Sequence, residues 1–273
     1  MRFAPLLLLT GCALAPAGEP IAIAFRAVVG SEPYACGRTY EGLGLDGGSY
    51  RAEDLRFYVH DLRVVTGEGE EVPIVLESDG RWQDHDVALL DFETDCLGGT
   101  PEVNGVVRGR IELPPEAEIA ALRFRLGVPP SRNHLAAAAQ PPPLNVTGLF
   151  WGWQAGYQYL TALGTTGAGL SVFMLGATGC SGDARMGTRR CAAENRAEIE
   201  LPVPGRGALE PGAVVADVAA LYAGIDTVED GGSVLGCESL VSDPECGPMF
   251  AALGLDLAGA APGPQSFFRF EAR

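Results

Sequence analysis

The chain has 273 residues, 47% of them hydrophobic and 20% charged, enough for one large domain or two small ones with a substantial core. Its 37 glycines and 20 prolines follow no strict period, which excludes collagen and argues for many turns rather than long helices. The 19 basic residues, all arginine, stand against 35 acidic ones; the net charge of −16 repels phosphate backbones and argues against nucleic acid as a partner.

The N-terminus carries one arginine, a short leucine run over residues 6–9 and small residues before a cysteine, the pattern of a bacterial secretion signal. It is too short to remain as a membrane-spanning helix. Leu9-Thr10-Gly11-Cys12 resembles a lipoprotein signal, so residues 1–11 are expected to be removed and Cys12 to carry a lipid anchor. The alternative is an ordinary signal cut near Ala15 or Ala17. Residues 12–19 then form a tether and 20–273 a single domain, held at the periplasmic side of a membrane or at the outer membrane.

Residues 20–29 (PIAIAFRAVV) predict the first strand. Within 50–65, Leu55, Phe57 and Val59 share one face and Arg56, Tyr58 and His60 the other, a second strand. Further strands are expected over 72–77, 87–92, 106–113 and 120–128. Residues 129–144 (PPSRNHLAAAAQPPPL) cannot be regular sheet, because proline removes ladder donors; they predict a long loop with one helical turn at the alanines. Residues 147–160 are rich in aromatics, and 170–176 and 197–203 read as strands. Short helices are expected over 217–221 and 248–253. Many short strands with Gly/Pro turns predict an all-β sandwich with long loops and short helical decorations.

Export sets how the cysteines are read. Beyond Cys12 there are six, and an even number in an oxidising compartment points to disulfides before zinc, the more so because no C-x-x-C spacing occurs. Spacing favours Cys180 with Cys191 and Cys237 with Cys246, leaving Cys36 with Cys96, among fifteen ways of pairing six cysteines.

Hydrolase and nucleotide signatures are missing: there is no G-x-S-x-G, no H-E-x-x-H and, without lysine, no P-loop. His60, His85 and His134 are the only histidines, and imidazole is the commonest protein ligand for copper or zinc. Trp82 and two acids surround His85 in Arg81-Trp82-Gln83-Asp84-His85-Asp86. The aromatic cluster around Trp151 and Trp153 reads either as core or as a carbohydrate platform.

Several ordered segments form one larger pattern: Arg56-Phe57-Tyr58-Val59-His60-Asp61-Leu62-Arg63, Val87-Ala88-Leu89-Leu90-Asp91-Phe92, Leu126-Gly127-Val128-Pro129 with Asn133-His134, and Pro143-Leu144-Asn145. It continues through Trp151-Gly152-Trp153-Gln154-Ala155-Gly156-Tyr157, Gly179-Cys180, Cys191 with Asn195-Arg196, Gly236-Cys237 and Asp243-Pro244-Glu245-Cys246. From about Ile21 to Phe270 the chain resembles the MbnP-like copper-binding family, the four-Cys-motif proteins of a metallo-mystery pair. The resemblance implies an exported β-sandwich that is not an enzyme and binds one copper ion, as Cu(I) or Cu(II). It also implies a partner, a di-haem cytochrome c peroxidase-like (MbnH/MauG-like) protein, that converts a tryptophan to a kynurenine beside the metal. Carried over, His134, His60 and His85 are the expected ligands. Trp82 is the expected target of oxidation, with Trp151 and Trp153 as alternatives. The family's four cysteines fall on Cys180, Cys191, Cys237 and Cys246, as disulfides. A structural or carbohydrate-binding surface lipoprotein that keeps the scaffold without metal is the rival expectation.

Overall fold

Alternating apolar side chains build the first strand, β1 (Glu19–Val29), with Ile23, Phe25, Ala27 and Val29 turned inward. In this computed structural model, residues 17–94, 96, 102–183, 186, 188–228, 234–239, 242–258 and 263–272 are described. The expected secretion signal and Cys12 lie outside them. After β1 come β2 (Glu32–Pro33), β3 (Thr39–Leu43), the 19-residue β4 (Gly48–Thr66) and β5 (Glu71–Leu76). The hairpin of β6 (Gln83–Asp84) and β7 (Val87–Asp91) precedes β8 (Val106–Ile111) and β9 (Ile119–Leu126). Beyond a long loop lie β10 (Phe150–Gly152), β11 (Gly156–Tyr157), β12 (Leu160–Thr166), β13 (Gly169–Leu175), β14 (Glu198–Pro202) and β15 (Ala213–Asp217). The chain closes with α1 (Val218–Tyr222), β16 (Leu235–Cys237), α2 (Cys246–Ala252) and β17 (Phe268–Glu271).

The main path through the sheet runs β16-β13-β12-β4-β5-β8-β1-β15-β17. It curls back on itself, so that Phe25 of β1 meets Phe57 of β4 and Phe124 of β9, and Phe268 of β17 meets the same two. These rings sit edge to face with centroids 5.2 to 6.2 Å apart. All four are 3% exposed or less, and each contributes about 1.5–3 kcal/mol by leaving water. The architecture is all-β, as the turn-rich composition predicts. Among the strands not expected are β12, which follows directly on the aromatic run; β15, buried along nearly its whole length; and β17 near the C-terminus, besides β3 and several strands of two or three residues.

The expected disulfides form: Cys36–Cys96, Cys180–Cys191 and Cys237–Cys246. Cys237 and Cys246 tie β16 to the start of α2 within the core. The helical turn expected in the proline-rich loop is a 3-10 turn at Ala137–Ala139.

One interruption positions everything that follows. On one side of β4, β12 pairs with Tyr50 to Phe57 and β9 with Val59 to Thr66, so the two neighbours meet end to end at Tyr58. Tyr58 donates its N–H to the Tyr159 carbonyl at 2.9 Å and accepts from Gly127 N–H at 2.7 Å. The chain between those anchors folds over the outer face of β4. Tyr58 and His60, on the face opposite Leu55, Phe57 and Val59, are therefore also buried.

Candidate metal centre

His60 stands beside a bulge. The β4–β9 register shifts between His60 and Arg63, and Asp61 adopts a left-handed φ of 54°. The His60 side chain donates from Nδ1 to the Gly127 carbonyl at 2.9 Å, which fixes the tautomer and leaves the lone pair on Nε2. Gly127 has φ +119°, and a Cβ there would stand 2.9 Å from the Tyr159 ring, so a side chain at this position is excluded on two counts. Burial drives the His60 pKa down to about 4, against the opposing effect of the Gly127 bond. The ring is thus neutral at pH 7, the form that ligates a metal.

The loop after β9 carries His134. Asn133, fully buried, accepts the Tyr157 N–H on Oδ1 at 3.0 Å. Its Nδ2 must then face His134, whose Nε2 it reaches at 3.3 Å. With Nε2 accepting, the proton of the neutral ring lies on Nδ1, an atom that is buried and has no hydrogen bond of good geometry among the described residues. Burial lowers the His134 pKa; the nearby backbone of Trp153 works against this, and the Arg189 and Arg196 guanidiniums work with it. Arg196 also disfavours the charged form of His60, so both imidazoles lie in the field of one cation. Arg196 is held by the Val128 carbonyl at 2.7 Å and lies over the Tyr159 ring at 4.9 Å.

His85 lies on the turn between β6 and β7 and is exposed, its Nε2 4.0 Å from Asp84. Its segment is nevertheless tied to the His134 loop, because Arg132 forms ion pairs with Asp84 at 3.0 Å and Asp86 at 2.5 Å. It is also tied to β4 by the pairing of Val87 with His60. The three histidine-bearing segments therefore adjoin. Their nitrogens are not assembled into a group, however: among the described residues, the set of three potential ligand atoms within 4.8 Å of one another is His134, Cys180 and Cys191. Histidines alone do not make a preformed site.

The tryptophans separate. Trp82 is half-buried at the entry to β6 beneath the Arg81 guanidinium, 4.6 Å from its ring, with its backbone fixed by Asp79 and Leu89. The β10–β11 hairpin brings Trp151 and Trp153 to the surface, 36% and 57% exposed. They line an open groove of about 1090 Å³ together with Gly179, Cys180 and Glu238. The Trp151 ring rests where a side chain at Gly176 would be, 2.3 Å from a Cβ built there. Trp153 stacks under Arg189 at 5.1 Å. Of the three, the Trp153 segment is the one that meets His134. Arg132 and Arg189 carry no motif of their own in the sequence; Arg132 immediately before Asn133-His134, with two acids flanking His85, is the one legible hint of the first ion pair.

A family model for MbnP matches residues 18–239. The chain belongs to the MbnP family. Its fold is also that of a solved structure, MbnP from Methylosinus trichosporium, at 29% sequence identity and a TM-score of 0.80 over 93% of this chain and 98% of that one. A comparison with curated proteins gives no match. The family match spans the three histidines, the tryptophan hairpin and Cys36, Cys96, Cys180, Cys191 and Cys237; α2 with Cys246 lies beyond it, within the part of the chain that follows residue 239.

Proposed function

We propose that this MbnP-family chain is an exported copper-binding protein, a binder and a substrate of its partner rather than an enzyme. The observation that carries the reading is the junction at Tyr58, where the His134 loop, His60 and the Trp151–Trp153 hairpin meet beside an open groove. The donors suit copper: His60 offers a neutral ring with a free Nε2, and His134 a half-buried neutral ring. Copper bound there would take imidazole nitrogens from these two residues, and His85 on its exposed turn is the least supported member of the set. Because the histidines are not gathered into a group, a further donor is needed. A kynurenine formed from a hairpin tryptophan, Trp153 first, supplies an aryl amine and a carbonyl where indole offers only an N–H donor.

The oxidant in this reading is a di-haem cytochrome c peroxidase-like protein, docking at the groove, with the present chain held by a lipid at Cys12 on the periplasmic side of a membrane. The test is co-expression with such a partner, followed by peptide mass mapping and metal analysis. The expected result is about one copper per chain and a Trp153 peptide that has gained one oxygen and lost one carbon. Copper should be lost when His60 or His134 is replaced by alanine. The same mass change at Trp151 or Trp82 moves the modified residue and keeps the function. Neither mass change nor copper in folded, oxidised protein leaves the metal-free scaffold as the better account.

A further inference from the structure

The ligand cluster that is assembled is not the histidine set. His134 Nε2 lies 3.5 Å from Cys191 Sγ, and one donor atom from each of His134, Cys180 and Cys191 falls within 4.8 Å of the others. As a disulfide the two sulfurs are poor ligands, so the cluster is silent in the oxidised protein. We propose that opening the Cys180–Cys191 disulfide converts this cluster into a second, redox-gated site for a soft d10 cation such as Cu(I), held by two thiolates and the His134 imidazole.

The spacing fits. Metal–sulfur and metal–nitrogen bonds of about 2.3 and 2.0 Å, opened at about 120°, place sulfur and nitrogen about 3.7 Å apart, close to the separation already present. The ligand type fits as well, because thiolates select Cu(I) over harder ions. Access separates this bridge from Cys237–Cys246: Cys180 forms part of the groove wall and Cys180 and Cys191 are half-buried, whereas Cys237 and Cys246 are 2% and 0% exposed. Cys36 and Cys96 are half-buried too, but among the described residues they are not grouped with a histidine.

A second, independent observation concerns charge. Among the described residues, Arg189, 8% exposed, finds no partner for Nε or Nη2, and Arg196, which pairs through Nη1 with Glu194, finds none for Nη2. Both guanidiniums act on His134. Buried donors without acceptors are costly, and the neutral disulfide offers no acceptor charge to the three N–H-bearing atoms left over. A thiolate pair gives them one, and nearby cations are what favour thiolate over thiol.

The step balances with a dithiol as reductant. Its two thiols deliver two electrons and two protons, the S–S bond between Cys180 and Cys191 breaks to two thiols, and the reductant closes its own disulfide. Cation binding then releases two protons to solvent. The site rests on the same His134 Nε2 as the copper reading above, so the two are alternatives and are tested on protein without a modified tryptophan. It goes beyond that reading because it uses neither His60 nor a kynurenine.

The experiment uses purified full chain, anaerobically, in two steps. Graded dithiothreitol followed by alkylation and peptide mapping is expected to label Cys180 and Cys191 while Cys237 and Cys246 stay protected. Cu(I) is then titrated in competition with a chromophoric Cu(I) chelator. The selectively reduced protein is expected to bind one more Cu(I) than the oxidised protein, with thiolate-to-copper charge-transfer absorption. The extra equivalent should vanish in Cys180→Ser/Cys191→Ser and in His134→Ala. Alkylating Cys180 and Cys191 in the folded wild type gives the same answer should the double variant fail to fold. Equal Cu(I) binding by oxidised and reduced protein overturns the proposal. So does an extra equivalent that survives alkylation of the two cysteines, or labelling of the pair only when Cys237 and Cys246 also react. Failure of the oxidised, co-expressed protein to take copper is read in a different sample and bears only on the earlier reading.

Discussion

Acidification of the metal-free protein should release stability stored at His60. The unfolded ring titrates at 6.5, and burial holds the folded one near 4. Between those values the unfolded chain binds the extra proton, so stability is complete above about pH 6.5 and is lost as pH falls through the folded value. At about 1.4 kcal/mol per pH unit, the displacement is worth about 3 kcal/mol, a large share of the total stability of an ordinary domain. His60→Gln removes the titration and keeps an amide that can donate to Gly127. Urea denaturation of both proteins, with disulfides intact and copper chelated, should be followed from about pH 7.5 to about pH 4. The wild type should lose about 3 kcal/mol more than the variant over that interval. Parallel pH profiles would show that the ring is charged in the folded state and would remove the ground for treating it as a neutral ligand.

Two further predictions concern the same region. Asp91, raised to about 6 chiefly by burial, runs with the opposite sign: the folded state holds its proton more tightly, so its contribution is present below about pH 3.8 and lost as pH rises through about 6. Asp91→Asn, which can still accept the Glu93 N–H, should therefore stabilise the protein at pH 7 by about 1–2 kcal/mol after allowance for solvent screening, the gain fading by pH 4 in thermal melts. Asn133→Ala strands the buried Tyr157 N–H and should cost about 1–3 kcal/mol in denaturant titrations while weakening copper uptake; unchanged stability would mean that another acceptor reaches Tyr157.

The strands were legible where one face alone is buried. In β1 and β9 the alternation of Ile23, Phe25 and Ala27, or of Leu122, Phe124 and Leu126, marks the element to within a residue or two. It fails for β15, where Ala213 through Ala216 are all buried and no period survives. At the site, local sequence places Tyr58 and His60 on the polar side of β4, and nothing local says that a segment some seventy residues downstream covers them. The histidines could be named from their scarcity, but not how far they stand from assembly. That depends on long-range pairings: Arg132 crossing to Asp84 and Asp86, of which the sequence gives only a hint, and the Arg196 charge acting on both rings, of which it gives none.

The two backbone bonds of Tyr58 have a topological consequence. One goes to Gly127 and the other to Tyr159, so the excursion that carries the His134 loop and the tryptophan hairpin leaves and rejoins the sheet at a single residue. The entropy of closing so long a loop is met by the ladders of β9 and β12 on either side, whatever the excursion itself contains. Insertions at its exposed positions can therefore change its length without shifting the register of β4, whereas Asn133, Leu144 and Tyr157, which are buried against the sheet, must be kept. Chemistry and scaffold are thus separable at the exposed positions of the excursion, and joined at the few buried residues that seat it on β4.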